Sequence, residues 1–179
     1  MLISLDIAIL EFFNTSFHSP LFDNFMQFIT SFGLVGVGFI IATIFYFASN
    51  KKDHKAVAIE LIVILILVYL IIQALKLAIY RPRPFEVLDN LVVLTSVSDT
   101  SFPSGHMATA TVISYVFYRH YKNTWIWILP LLVGISRMYL GVHYPSDVLG
   151  GFIVALVISM ICGHILDNIN FREYIDNKL

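Results

Sequence analysis

Two histidines and a carboxylate, set among cations, are the residues of this chain best suited to chemistry. They fall in three clusters: Lys76-x6-Arg83-Pro84, then Pro103-Ser104-Gly105-His106, then Ser136-Arg137-x5-His143-x3-Asp147. Lys76, Arg83 and Arg137 together suit a phosphate dianion, because guanidinium forks and an ammonium hold such an anion best in a partly dehydrated site. Ser104 reads as an N-cap, so the Gly105 and His106 amides would stand at a helix N-terminus, where N–H groups and the helix dipole favour an anion. A glycine at 105 lets that anion approach the backbone. Pro145 suits the first turn of a following helix, which leaves His143 just ahead of it and Asp147 within its first turn. Asp147 could then accept from His143, fix its tautomer and stabilise its imidazolium. Taken on their residues alone, His106 and His143 could exchange the roles of nucleophile and proton donor, although the nearby Asp147 favours His143 as the oriented one.

Each of these residues also has a purely structural alternative. Singly, an interfacial His is more often a hydrogen-bonded structural residue, and an Arg near a span end more often a snorkelling anchor. The convergence of all three clusters at one depth favours chemistry. A divalent metal on His106, His143 and Asp147 competes as a reading, but three flanking cations would repel it. No metal and no cofactor is expected. Arg81 reads equally well as a fourth phosphate contact, useful for a diphosphate, or as a solvated loop cation. Glu60 and His164 read as structural hydrogen-bonding groups, and His18, His54 and His120 have no identifiable partner in the sequence.

The elements that must position these residues are membrane helices. Of 179 residues, 58% are hydrophobic and 13% charged, with a mean hydropathy of +0.82, far more apolar surface than a soluble domain of this size could bury. Five stretches meet the requirement of about 20 largely apolar residues: 25–49, 56–80, 105–121, 124–141 and 148–167. Residues 1–20 carry Asp6, Glu11, Asn14 and His18 among Leu, Ile and Phe. That pattern predicts an amphipathic helix along the interface, with a sixth, tilted span as the alternative. The segment lacks the basic n-region and small-residue cleavage site of a signal peptide. The expected fold is therefore all-α, a polytopic membrane bundle of five or six transmembrane helices, forming a single domain over 1–179 with its motif core at 76–147. Cys162 lies inside the last span and forms no intrachain disulfide.

Charge orients the bundle. If the loop 50–56 is cytoplasmic, Lys51, Lys52, Lys55, Arg119, Lys122, Arg172 and Lys178 share that side, seven of the eleven basic residues, as the positive-inside rule requires. The C-terminus is then cytoplasmic, and Lys76, Arg81, Arg83 and Arg137 sit on the opposite, extracytoplasmic face. Trp125 and Trp127 fit an aromatic belt. A net charge of -1 offers no basic field for nucleic acid. The polar stretch 81–103, with three prolines, Glu86, Asp89 and Asp99, reads as an exposed loop.

At eleven fixed positions from Lys76 to Asp147, the three clusters resemble the motifs of the type 2 phosphatidic acid phosphatase superfamily, the lipid phosphate phosphatases that share a catalytic core with soluble vanadium haloperoxidases. His18-Ser-Pro-Leu-Phe-Asp23 resembles small prokaryotic members more weakly. The resemblance implies that Lys76, Arg83 and Arg137 bind phosphate, with Ser104 and the Gly105 amide completing the cradle. It implies His143 as nucleophile, Asp147 as its orienting partner, and His106 as the group that protonates the leaving oxygen and later activates water. The partner so implied is a membrane lipid phosphate or diphosphate. An isoprenoid diphosphate of the undecaprenyl or dolichyl type comes first, ahead of phosphatidic acid, diacylglycerol pyrophosphate or phosphatidylglycerol phosphate. A non-catalytic lipid-binding or translocating protein is the rival of another class. No sequence signal fixes the oligomeric state.

Overall fold

A computed structural model describes residues 2–47 and 52–171. Lys51, Arg172 and Lys178, three of the cations used above to orient the chain, lie outside the described residues. Among the described residues all regular structure is helical, in the order α1 (Leu2–Thr15), α2 (Pro20–Ser31), α3 (Val35–Phe47), α4 (Lys52–Ala78), α5 (Pro84–Val87), α6 (Gly105–Tyr121), α7 (Ile128–Tyr139) and α8 (Pro145–Asn168), with one 3-10 turn, Thr124–Trp127, leading into α7.

Helix α6 is the axis of the bundle. It packs against α3, α4, α7 and α8, and its residues 107–114 are buried without a break. A helix so enclosed has no solvated face on which to put polar groups. Thr111 accordingly returns its hydroxyl to the Met107 carbonyl (2.8 Å), and Ser114 donates to the Ile126 carbonyl (3.0 Å). The main core joins Leu61, Ile64, Leu65, Val68 and Ile72 of α4 to Ala108, Val112 and Val116 of α6 and Ala155 of α8. Large apolar side chains instead cover the outside: Leu70, Leu77, Ile153, Val157 and Ile161 are all exposed. In water such a surface would aggregate. In hydrocarbon it is the solvated face.

Two helices are long and apolar enough to cross a bilayer by themselves, His54–Ala78 and Pro145–Asn168. A third candidate is the pair α2 and α3, bent by 61° at their junction. The continuous span expected over 25–49 is therefore broken. Gly33 and Leu34 turn the chain through i→i-3 bonds to Thr30 and Ser31 (2.9 and 3.1 Å). The reason is tertiary: a Cβ on Gly33 would lie 2.7 Å from the Cβ of His106, so the backbone passes against α6 where only glycine fits. The expected segment 105–121 matches α6, at 17 residues, and Thr124–Tyr139 is likewise shorter than a full crossing.

Helix α1, at 14 residues, is too short to span. Asp6 and Asn14 on it face the protein. Asn14 is fully buried, donating to the Tyr139 and Val92 carbonyls (2.7 and 2.8 Å) and accepting from the Val92 amide (2.8 Å), while Leu5 and Phe12 point outward. Asp6 accepts from the Ser146 amide (2.8 Å) at the start of α8, where a carboxylate also complements the helix dipole. Helix α1 thus clamps the ends of α7 and α8 that carry the third motif cluster.

Candidate active site

Proline and capping chemistry bring the three clusters to one end of the bundle. Helix α4 stops at Ala78, and the chain through Pro82 and Pro84 folds Arg83 inward as the N-cap of α5, its amide bonded to Glu86 (2.8 Å). The side chain of Arg83 is only 2% exposed. Ser104 caps α6, its hydroxyl accepting weakly from the Met107 amide (3.5 Å), which leaves the Gly105 and His106 end of the helix facing a cavity. Pro145 starts α8, and Asp147 at its third position accepts from the Tyr144 amide (2.9 Å), so His143 sits immediately ahead of the helix.

The cavity has about 730 Å³ of open space, its mouth included. Lys76, Arg83, Asp99, Gly105, His106, Arg137 and His143 line its polar end, and Leu34, Val35, Leu65, Val68, Tyr69 and Ile72 continue it as an apolar slot beside the α2/α3 bend. Arg137 is 2% exposed. Its Nη1 donates to the Thr30 hydroxyl (2.9 Å), whereas Nε and Nη2 have no partner among the described residues. Leaving two guanidinium nitrogens buried and unpaired costs several kcal/mol unless an anion takes them, at about 1–3 kcal/mol for each unmade bond.

His143 is 2% exposed and touches charge on both ring nitrogens. Arg83 Nη1 approaches Nε2 at 3.4 Å; since guanidinium only donates, Nε2 carries the lone pair and Nδ1 the proton. Nδ1 points at Asp147 Oδ2, 3.6 Å away, beyond hydrogen-bond length, so among the described residues the proton has no bonded partner. Burial pushes the His143 pKa down to about 3; Asp147 opposes the shift, and Arg137 and Arg83 reinforce it. The imidazole is therefore neutral at physiological pH, as a nucleophile must be.

Asp147 is fully buried and heavily committed. Besides the Tyr144 amide, it accepts from the Ser101 hydroxyl (2.5 Å) and from Arg81 Nη1 (2.5 Å). Arg81 is spent on this task. It also pairs with Asp6 (2.8 Å), donates to the Ser146 hydroxyl (2.7 Å) and stacks over the Tyr144 ring at 4.1 Å. Arg81, weighed as a fourth phosphate contact or a solvated loop cation, does not line the cavity beside His143; it lines a neighbouring one with Lys76 and Asp99, and its donors are engaged by Asp147, Asp6 and Ser146. Nor is it a free solvated cation. Partial burial works against its charge, but Asp6 and Asp147 outweigh it and hold the pKa above the ordinary arginine value.

Ser104 is the N-cap expected of it, its side chain fully buried, next to the Gly105 and His106 that line the cavity. Four contributors have no signal in the motifs. Ser101, Thr30 and Gly33 lie outside all three clusters, and Asp99, assigned to an exposed loop, pairs with Lys76 (3.2 Å) and with Arg83 Nη2. Partial burial opposes its ionisation, but those two cations prevail and hold its carboxyl below the usual carboxylate range. Among the described residues no three His, Cys, Asp or Glu side chains converge as a metal site requires.

Comparison with known proteins finds the same core. Residues 57–171 match the family model of the PAP2 superfamily. The chain is 35% identical over 150 residues to undecaprenyl-diphosphatase BcrC of Bacillus subtilis, covering 82% of this chain and 76% of that protein. Its fold resembles the crystal structure of Aquifex aeolicus LpxE, with a TM-score of 0.76 at 29% identity over 88% of this chain and 94% of the other. It also resembles a PAP2-type phosphatidylglycerolphosphate phosphatase from Bacillus subtilis, with a TM-score of 0.75 at 28% identity over 94% and 87% of the two chains.

Proposed function

We propose a function for this chain from one premise: it belongs to the PAP2 superfamily. It is a membrane lipid phosphate phosphatase, and undecaprenyl diphosphate is the favoured substrate, the compound named in the BcrC relative. The observation that carries this reading is a single cavity. The unpartnered Nε and Nη2 of buried Arg137 and the lone pair of His143 share it with a slot of Leu, Val and Ile side chains. A phosphate alone would need no slot, and a lipid without a phosphate would need no buried guanidinium.

The terminal phosphoryl group binds between Arg137, Arg83, Lys76 and the Gly105 amide. His143 Nε2 attacks phosphorus, forming a P–N bond as the bond to the bridging oxygen breaks. Positive charge then grows on the ring, and Asp147 closes on the Nδ1 proton to stabilise it. His106, across the cavity, gives the leaving oxygen its proton, and the lipid monophosphate departs. His106 then takes a proton from water, whose oxygen attacks the phosphohistidine; inorganic phosphate leaves and His143 is restored. Protein cations carry the charge of the transition state, and the reaction calls for no metal.

Five crossings form a single domain, with α1 along the interface, the site on the extracytoplasmic face and the C-terminus cytoplasmic. Support comes from Lys55, Arg119 and Lys122 at the end of the bundle away from the site. A reporter fused after Leu179 tests this; external display would reverse the orientation.

Phosphate release by purified protein in EDTA, with undecaprenyl diphosphate, phosphatidylglycerol phosphate and phosphatidic acid in parallel, tests the function. Release fastest from the isoprenoid diphosphate supports the proposal. Preference for phosphatidylglycerol phosphate would move the chain toward the activity named for the second structural relative, and release from none would leave a lipid-binding protein.

A further inference from the structure

The three buried cations are not equivalent. Arg137 faces the cavity with free donors, whereas Lys76 and Arg83 already hold a carboxylate between them. Asp99 Oδ2 lies 3.2 Å from Lys76 Nζ, its Oδ1 pairs with Arg83 Nη2, and its backbone carbonyl accepts from Arg83 Nε (2.7 Å). The neighbouring Thr100 carbonyl takes a further bond from Lys76. Lys76 and Arg83 line the cavity but are buried, whereas the Asp99 side chain is 51% exposed, so it is the member of this trio most open to solvent. Asp99 also lines a second cavity, beside Tyr80, Pro82 and Ser98, which gives the carboxylate space to move into.

A phosphoryl group bound at His143 needs the donors that Asp99 occupies, and a carboxylate remaining within a few ångströms repels it. We propose that Asp99 is a specificity-determining residue, a resident carboxylate that holds Lys76 and Arg83 in the empty site and yields them only to a phosphoryl group with further binding energy to offer. The inference rests on the phosphatase reading of the cradle. A lipid phosphate supplies the extra energy by burying its chain in the apolar slot. Inorganic phosphate, the product, has charge alone, so Asp99 weakens its hold and speeds its exit.

The test measures equilibrium binding of inorganic phosphate to the full chain in detergent, without turnover, for wild type, Asp99→Asn and Asp99→Glu, alongside KM and kcat for the lipid. Asp99→Asn keeps an acceptor near the cations but removes the charge. It should bind phosphate at least tenfold more tightly and show stronger product inhibition; Asp99→Glu should bind phosphate as weakly as wild type. Unchanged or weaker phosphate binding in Asp99→Asn would show that the carboxylate only positions the cations, and would overturn the inference. It is overturned equally if Asp99→Glu behaves like Asp99→Asn, or if Asp99→Asn cannot fold. Because phosphate binding requires no catalysis, a protein that binds phosphate in this pattern yet hydrolyses no lipid would refute the proposed function and leave the competition intact.

Discussion

The bundle holds a buried charged cluster at each end, built from the same residue types. At the end away from the cavity, Glu60 of α4, 2% exposed, accepts from Arg119 (2.5 Å) and pairs with His120 (2.7 Å) of α6; Arg119 reaches on to the Gly163 carbonyl (3.0 Å) and Asp167 of α8. Among the described residues, no buried side-chain nitrogen or oxygen of that cluster lacks a partner. At the other end, beside open space, two buried nitrogens of Arg137 have no partner among the described residues, and His143 Nδ1 stands 3.6 Å from Asp147. Composition does not separate a structural ion cluster from a reactive one; unspent hydrogen-bonding capacity does. The first cluster ties α4, α6 and α8 together. The second keeps donors of Arg137 available to an anion.

The strongest way to break that comparison is to remove one histidine from each end. His143→Ala should lower turnover by about a thousandfold or more, as loss of a nucleophile does, while His120→Ala should stay within about threefold per folded molecule. Equal losses would mean that the two clusters do not differ in kind. Next, Arg137→Ala should cost about 10²–10³ in kcat/KM, the scale of losing an oxyanion contact, and weaken inhibition by vanadate; Arg137→Lys should rescue little, since an ammonium lacks the fork. Gly33→Ala should reduce kcat by about tenfold through the contact with His106, an effect of misplacing a reacting group rather than deleting it.

Stability should show the reverse pattern. Glu60→Ala removes the carboxylate that ties Arg119 and His120 to α4, leaving Arg119 only Gly163 and Asp167, and should cost about 1–3 kcal/mol, read as a lower midpoint of thermal unfolding in detergent, with little change in activity per folded molecule. His143 contributes through pH. Its folded-state pKa of about 3 lies below the ordinary histidine value of about 6.5, so the unfolded chain binds the extra proton between those limits. Stability from this group is complete above that window and falls as pH drops through it, by at most about 1.4 kcal/mol per unit. His143→Gln should flatten that slope in unfolding measured from pH 7 to 4; an unchanged slope would assign it to other groups.

Much of this was legible in the sequence where local chemistry decides. Ser104 before Gly105, and Pro145 two residues before Asp147, set helix starts that the structure reproduces, and Pro82 and Pro84 end α4 near Lys76 as such residues must. What escaped depends on neighbours distant in the chain. Hydropathy runs unbroken from 25 to 49, so the bend at Gly33 has no local signal; its cause is a histidine 73 residues later. Asp6 and Asn14 read as the wet face of an interfacial helix, yet they bind α7 and α8, because in a membrane protein a polar face turns toward the protein as readily as toward water. Asp99 looked like loop polarity, and only its placement between Lys76 and Arg83 reveals a stake in the site.

The central claim, that the unpaired nitrogens of the cavity end mark a site of phosphoryl transfer through His143, is tested most directly by trapping the intermediate. The protein would be mixed with undecaprenyl diphosphate labelled in its terminal phosphate, quenched in base within one turnover, and mapped by mass spectrometry. The account predicts an alkali-stable, acid-labile phosphate on the peptide bearing His143, absent from His143→Ala and unaffected by EDTA. Label on His106 instead, or full turnover by His143→Ala with no label anywhere, would contradict it.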